Sequence, residues 1–287
     1  MDLAQTLAAK RKIIEDALDQ CLGALPTEAP FQATFIDSLR HAIQVGGKRV
    51  RPILTLLVAD ACGATEANEA DAIHAAMAIE LLHSYTLVHD DLPSMDNDTE
   101  RRGAPSVWAK YGEGVAILAG DYLQGLAFEQ IAQCQTAAQL LPKFTRASMD
   151  VVHGQIADIG AATVDASTWT PALLGYVFLN KTAMLIATAC VMGAIVAKAS
   201  PEVQEAMFTY GTNIGLAFQY IDDLLDAQQS QQGNELSAIA VYDGEQEAVQ
   251  TSAEYCTQQA LKALNCLPEA KTEALRAFAT SLLHRLQ

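Results

Sequence analysis

Asp90, Asp91 and Asp96 stand in His-Asp-Asp-Leu-Pro-Ser-Met-Asp, and Asp222, Asp223 and Asp226 stand in Ile-Asp-Asp-Leu-Leu-Asp, so two triple-carboxylate clusters punctuate an otherwise apolar chain. Carboxylates gathered in one place repel one another and need cations to compensate. Hard oxygen ligands of this kind suit a divalent ion such as Mg2+, which bridges one or two carboxylates to substrate phosphates. On a helix, Asp222, Asp223 and Asp226 fall at offsets of zero, about 100° and about 40°, which predicts all three on one face. In the first cluster Pro93 should end the helix that arrives through Leu81, leaving Asp96 to fold back from a short loop. One acidic cluster is an ordinary solvated helix end. Two matched clusters, each behind a long apolar stretch, call for another explanation.

The cations are few and placed near these motifs. Arg101 and Arg102 follow the first cluster at once, and guanidinium forks bind phosphate oxygens bidentately. Gly46-Gly47-Lys48-Arg49-Val50-Arg51 concentrates three more cations where glycines permit close backbone approach, which suits a second anion. His83 precedes Asp90 by about two helical turns and shares its face. Gly154-Gln155, Asp158, Lys181-Thr182 and Phe218-Gln219 put polar groups on otherwise apolar helices, and buried polar groups need partners. Gln219 projects near the second acidic face, and Lys181 can bring a cation to a metal-bound phosphate.

These elements are predicted to be helices throughout. Apolar residues recur at three and four positions through Leu3–Leu22, Phe35–Val45, Ala67–Val88, Val115–Cys134 and Leu140–Ile159. The pattern continues through Trp169–Leu179, Thr182–Ala197, Pro201–Asp226, Gly244–Leu264 and Glu269–Leu286. Strand alternation is missing, and so is any Asn-Gly or Asp-Gly turn between alternating runs. The fold class is therefore all-α, and length alone weighs one large domain and two equally. The polar, glutamine-rich stretch Gln228–Glu235 reads as a mobile surface loop beside the second cluster.

With 287 residues, 51% of them hydrophobic and 18% charged, the chain can bury a substantial core. A net charge of -16 argues against nucleic acid as a partner. Six cysteines without CxxC or CxxH spacing suggest neither zinc nor a disulfide framework, and free thiols fit a cytoplasmic location. The N-terminus places its basic residues after its apolar ones, the wrong order for a secretory signal, so the mature chain is expected to start there. The uncharged run Thr182–Ala197 falls short of the roughly 20 residues of a membrane span, and no stable span is expected.

Taken together and in order, Gly-Gly-Lys-Arg-Val-Arg-Pro at 46–52, the Asp90 motif, Arg101-Arg102-Gly103, Leu118-Ala119-Gly120-Asp121, Gly154-Gln155, Lys181-Thr182 and Gly215 through Asp226 make the chain resemble the trans-isoprenyl diphosphate synthases, close to bacterial farnesyl diphosphate synthases. The resemblance covers nearly the whole chain and implies a single domain, residues 1–287, built as one large helical bundle with a central cavity. It implies three Mg2+ ions held by Asp90, Asp91, Asp96, Asp222, Asp223 and Asp226, gripping the diphosphate of an allylic substrate with help from Arg101, Lys181 and Gln219. Isopentenyl diphosphate would bind through Lys48, Arg51, His83 and Arg102, with Gly47, Thr182 and Phe218 completing the substrate contacts. Asp90, Asp91, Asp96, Arg101, Lys181 and Asp222 would carry catalysis, in a homodimer serving isoprenoid biosynthesis. Tyr85 and Thr86, five and four residues before Asp90, would set product length, and an aromatic there accompanies a C15 product in similar bacterial enzymes. Farnesyl diphosphate is the expected product and geranylgeranyl diphosphate the alternative.

One departure stands out. The resemblance calls for a lysine-bearing, glycine-rich loop after the second motif, but Ala227–Ala240 holds no lysine or arginine, and from Ser200 to Leu261 the chain is acidic without a single basic residue. A catalytically weak regulatory subunit of a prenyl synthase heteromer is the second hypothesis, opposed by two complete acidic motifs.

Overall fold

A computed structural model describes residues 2–27, 30, 32–228 and 236–284. The apolar periodicity becomes helix almost everywhere: α1 (Leu3–Gly23), α2 (Gln32–Gln44), α3 (Val50–Cys62), α4 (Glu66–Asp90), α5 (Val107–Tyr111), α6 (Glu113–Gln133), α7 (Ala137–Ala162), α8 (Pro171–Val177), α9 (Met184–Val196), α10 (Pro201–Gln228), α11 (Ala238–Val241), α12 (Gln246–Ala263) and α13 (Glu269–Leu283). Local chemistry sets several boundaries. Thr65 and Asn68 form a capping box at the start of α4, Thr170 caps α8 with Pro171 at its first turn, and Gly63 closes α3 in the left-handed region. The loop expected at Gln228–Glu235 lies, from residue 229, outside the described residues.

α9 is the axis of the bundle. Every residue from Leu185 to Val196 is buried, and α3, α4, α7 and α10 pack around it. Small residues let these helices close on one another: a Cβ at Gly193 would strike the Thr55 carbonyl of α3, and at Gly211 it would meet Ala187 on α9. α4 lies antiparallel to α6, since His89 reaches the Ile117 carbonyl while His74 bonds Gln130. One apolar core fills the α4–α6–α7 side and a second the α3–α10–α12–α13 side.

Two features differ from the sequence expectation. The segments foreseen as separate helices at Trp169–Leu179 and Thr182–Ala197 join into a continuous helical stretch, Pro171–Val196, through a π-helical turn at Phe178–Ala183. By length and composition alone that stretch could cross a membrane, but 83% of its most apolar window is buried in the bundle. The second is a short antiparallel hairpin pairing Glu100–Arg101 with Ala104–Pro105. Its two turn residues, Arg102 and Gly103, both have positive φ, 56° and 78°, as a two-residue primed turn requires.

Candidate active site

α4 ends at Asp90 because Pro93 follows, and the chain turns back as expected: the Asp96 amide donates to the Asp90 carbonyl at 2.9 Å and the Asn97 amide to the Leu92 carbonyl at 3.0 Å. This sets Asp96 beside Asp90. Burial pushes the Asp90 carboxyl up to about 7, opposed by the Lys181 ammonium and reinforced by Asp96. Burial raises Asp96 as well, again against Lys181. Asp91 differs from its neighbour. It is 2% exposed and accepts from Arg101 Nε at 2.8 Å and from Arg101 Nη2, while the same Nη2 reaches Asp98 at 3.1 Å. Arg101 is thus spent largely on the acidic loop itself.

Lys181 sits in the π turn. Such a turn widens the helix by one residue and is frequent at functional sites. Gly154 of α7 makes room for it, since a Cβ there would collide with the Lys181 backbone. The Lys181 ammonium lies 2.5 Å from Asp158 of α7. Burial would lower its affinity for a proton, but Asp158, with Asp90 and Asp96 behind it, raises it overall, so the ammonium stays charged. The Thr182 hydroxyl donates to Gln219 Oε1 on α10. Close packing brings them together, because Gly215 lies where a Cβ would clash with Ala183.

On α10 the three carboxylates divide. Asp222 lines a cavity shared with Thr182 and Gln219. Asp223 accepts from the Ala238 amide at the start of α11 at 2.5 Å, and burial pushes its carboxyl up to about 7 with Asp226 and Asp222 adding to the rise. Asp226 is exposed. The helical offset of about 100° that separates Asp223 from Asp222 is enough to turn it toward α11.

The opposite pole is cationic. The hairpin throws the Arg102 side chain onto the Gly46 carbonyl, and Gly47 must lack a Cβ because one would strike the Arg102 guanidinium. Arg49 pairs with Glu80 at 2.6 Å, each side chain 3% exposed, and donates to the Ile43 carbonyl. Burial lowers the Arg51 guanidinium to about 10, with Glu80 opposing and Arg102 adding to the fall, and its buried Nε has no partner among the described residues. A buried donor without an acceptor costs free energy unless a ligand supplies one. Burial, followed by the surrounding Arg51, Arg102, Arg49 and Arg101, drives His83 well below its usual range, so its imidazole is neutral at pH 7.

A cavity of about 830 Å³ collects Gly47, Lys48, Arg51, His83, Arg101, Arg102, Thr182, Phe218, Gln219 and Asp222. Asp90, Asp96 and Lys181 lie outside that lining as a mutually coupled group. Tyr85 is buried below His89, their rings edge to face at 5.7 Å, and Thr86 turns its hydroxyl to the His83 carbonyl. Sequence reasoning gave no site role to Asp158, the partner of Lys181, although it had marked Asp158 as a polar residue on an apolar helix. It also missed Glu80 and Arg11, which line the cavity; neither belongs to a recognisable motif.

The arrangement has counterparts. The chain is 39% identical over 236 residues to the geranylgeranyl diphosphate synthase of Cyanophora paradoxa, covering 78% of this chain and 74% of that protein. It is 36% identical over 239 residues to the chloroplastic heterodimeric geranylgeranyl pyrophosphate synthase large subunit 1 of Arabidopsis thaliana, covering 80% of this chain but 62% of that protein. The structure of a geranyltransferase from Legionella pneumophila superposes with a TM-score of 0.87 at 29% identity, covering 99% of this chain and 97% of the other. Residues 32–280, from α2 into α13 and so across every motif of the site, match the polyprenyl synthetase family, and the chain belongs to that family.

Proposed function

We propose that this protein is a trans-prenyltransferase that joins isopentenyl diphosphate head-to-tail to an allylic diphosphate and releases farnesyl diphosphate. The observation that carries the reading is the cavity itself, whose lining brings Lys48, Arg51 and Arg102 together with Gln219 and Asp222 and with the apolar side chains of Leu87, Ile186 and Phe218. The isopentenyl diphosphate would occupy the cationic pole, supplying the acceptor that Arg51 Nε lacks. The allylic diphosphate would lie between the acidic motifs, near the Lys181 ammonium.

The donor set fits Mg2+. Among the described residues no three His, Cys, Asp or Glu side chains converge into a protein-only metal cage. That suits an ion that takes one or two carboxylates and completes its shell with water and substrate phosphate. Asp90, Asp96 and Asp222 are the ligands this geometry favours, while Asp91 and Asp223 anchor Arg101 and α11. When bound, Mg2+ would neutralise the diphosphate and stabilise charge on the departing oxygens. Lys181 adds a fixed ammonium aimed at the same charge. Ionisation breaks the allylic carbon–oxygen bond, the isopentenyl alkene attacks the cation, and the proton lost afterwards passes to the released diphosphate. Phe218, Ile186 and Leu87 line the chamber and keep water from the cation.

Tyr85 supports the C15 product, since its buried ring lies five residues before Asp90 on α4, where a bulky side chain would stop a growing tail. Replacing it with Ala is expected to shift the dominant product to C20 in a mass-spectrometric assay, and an unchanged profile would remove Tyr85 as the floor. The names of the curated relatives favour geranylgeranyl diphosphate as a second reading. The reaction class is tested by diphosphate release from geranyl plus isopentenyl diphosphate: a chelator should stop it and added Mg2+ restore it, and release indifferent to both substrates and metal would refute the class.

A homodimer in the cytoplasm is part of the proposal. Met149, Val152, Ile156 and Ile159 form an exposed apolar stripe on α7, continued by Ile117, Leu118 and Tyr122 on α6. A contiguous apolar face of this kind marks a protein interface. Val152→Asp is expected to yield monomers in sedimentation analysis, and a variant that still sediments as a dimer would move the interface elsewhere.

A further inference from the structure

We infer that Arg11 of α1 is a further binding residue for isopentenyl diphosphate, a guanidinium that reaches the diphosphate from a helix carrying none of the sequence motifs. The inference rests on the prenyltransferase reading. The cations lining the cavity of about 830 Å³ are Arg11, Lys48, Arg49, Arg51, Arg101 and Arg102. Two of these are committed within the protein: Arg49 to Glu80 and the Ile43 carbonyl, Arg101 to Asp91 and Asp98. Arg102 gives one nitrogen to the Gly46 carbonyl, a contact that neutralises no charge. Lys48, Arg51, Arg102 and Arg11 are therefore the cations left to meet an anion.

Arg11 is the middle of three consecutive cations on α1, and helical rotation sends each in a different direction. Lys10 crosses to Asp60 of α3 at 2.6 Å, and Lys12 pairs with Asp16 on the surface at 2.7 Å. Arg11, half-buried between them, forms no ion pair among the described residues and lines the cavity instead. Glu15, its neighbour one turn on, lies 4.0 Å from Arg49 Nε. An arginine four residues before a glutamate is also the weaker order for a helical pair. The Lys10 and Glu15 contacts hold α1 against α3 and the turn before it, with Arg11 between them. Arg11 and Lys48 also line a second cavity of about 480 Å³, whose lining contains no carboxylate and includes Leu7, Ile53, Phe218, Phe278 and Leu282. An apolar wall behind a cation strengthens its hold on an anion. Lys48 offers a point charge there, and Arg11 adds a planar fork matched to two phosphate oxygens.

The test compares Arg11→Gln with Arg11→Lys, which keeps the charge without the fork, and with Lys12→Gln, which removes one charge from the same helix outside the cavity. The readouts are KM for isopentenyl and for geranyl diphosphate, kcat, melting temperature, and affinity for isopentenyl diphosphate by calorimetry without an allylic primer. Arg11→Gln should raise KM for isopentenyl diphosphate and weaken its calorimetric affinity roughly tenfold, as loss of a charge-assisted bond does. KM for geranyl diphosphate, kcat and melting temperature should stay near those of the parent, because the lost contact is made to one substrate before and during reaction. Arg11→Lys should fall between the two, and Lys12→Gln should match the parent. An unchanged isopentenyl affinity in Arg11→Gln would overturn the inference, as would an equal loss in Lys12→Gln or an equal rise in both KM values. Absence of product from the parent would refute the transferase reading alone, since the calorimetric titration still reads Arg11. A parent that binds no isopentenyl diphosphate would overturn both.

Discussion

Asp90→Ala and Asp222→Ala are each expected to lower turnover at least about a thousandfold, roughly 4 kcal/mol of barrier, while the circular dichroism spectrum stays that of the parent helical bundle. The reason lies in the unequal roles within each motif. Asp90 stands beside Asp96, its carboxyl already pushed up to about 7 by burial and crowding, so removing it relieves the empty fold of an unfavourable charge. Stability should hold or rise. Lys181 and Arg101 offset only part of that cost, and binding of a divalent ion with diphosphate would give the carboxylate its main favourable role. Asp91→Ala should behave differently, because it frees Arg101 from a buried pair and disturbs the loop that carries Asp96. Turnover within about tenfold of the parent in Asp90→Ala and Asp222→Ala would mean that the two motifs do not carry the metal.

The largest effect on stability is expected at Arg49. Its guanidinium and the Glu80 carboxylate are each 3% exposed and 2.6 Å apart. Cutting one partner from a buried pair leaves the other charge uncompensated and costs about 3–5 kcal/mol. For a chain of this size that lowers the melting temperature of Arg49→Ala on the order of 10 °C. There is a functional consequence as well. Glu80 also acts on Arg51, so an orphaned Glu80 would draw Arg51 from the cavity and raise KM for isopentenyl diphosphate. The paired change Arg49→Met/Glu80→Leu should recover much of the stability, because both charges leave together. A melting temperature of Arg49→Ala within about 2 °C of the parent would show that the pair contributes little.

Much of this was legible in the residues, and the parts that were not have identifiable physical causes. Long helices such as α4 and α10 announce themselves by apolar periodicity, and Pro93 marks the end of α4 because a proline cannot continue it. The π turn at Phe178–Ala183 left no such mark. It inserts one residue into a register that stays apolar on both sides, and the close approach of α7 at Gly154 that accompanies it is a tertiary contact. The hairpin was invisible because a non-glycine residue, Arg102, takes the left-handed position that Asn or Asp would advertise. Within each acidic motif the sequence offers adjacent aspartates of identical chemistry. Which of them faces the cavity is decided by about 100° of helical rotation and by partners remote in sequence, Arg101 for Asp91 and Ala238 for Asp223. Asp158 and Glu80 were hidden for a similar reason, since each acquires its role from a cation on another element, Lys181 in the π turn and Arg49 just before α3.

The missing lysine after Asp226 takes on a different weight in this light. Lys181, held charged by Asp158, stands near Asp90 and Asp96, and the start of α11 is drawn to Asp223. The acidic site thus has a cation of its own on the π turn.

The most direct measurement incubates the purified protein with Mg2+, isopentenyl diphosphate and, in turn, dimethylallyl, geranyl or farnesyl diphosphate, and reads product mass. The expected result is a C15 diphosphate formed from dimethylallyl and geranyl primers, lost with a chelator and lost in Asp222→Ala. Failure to extend any of the three primers, with the protein folded and Mg2+ present, would contradict the account.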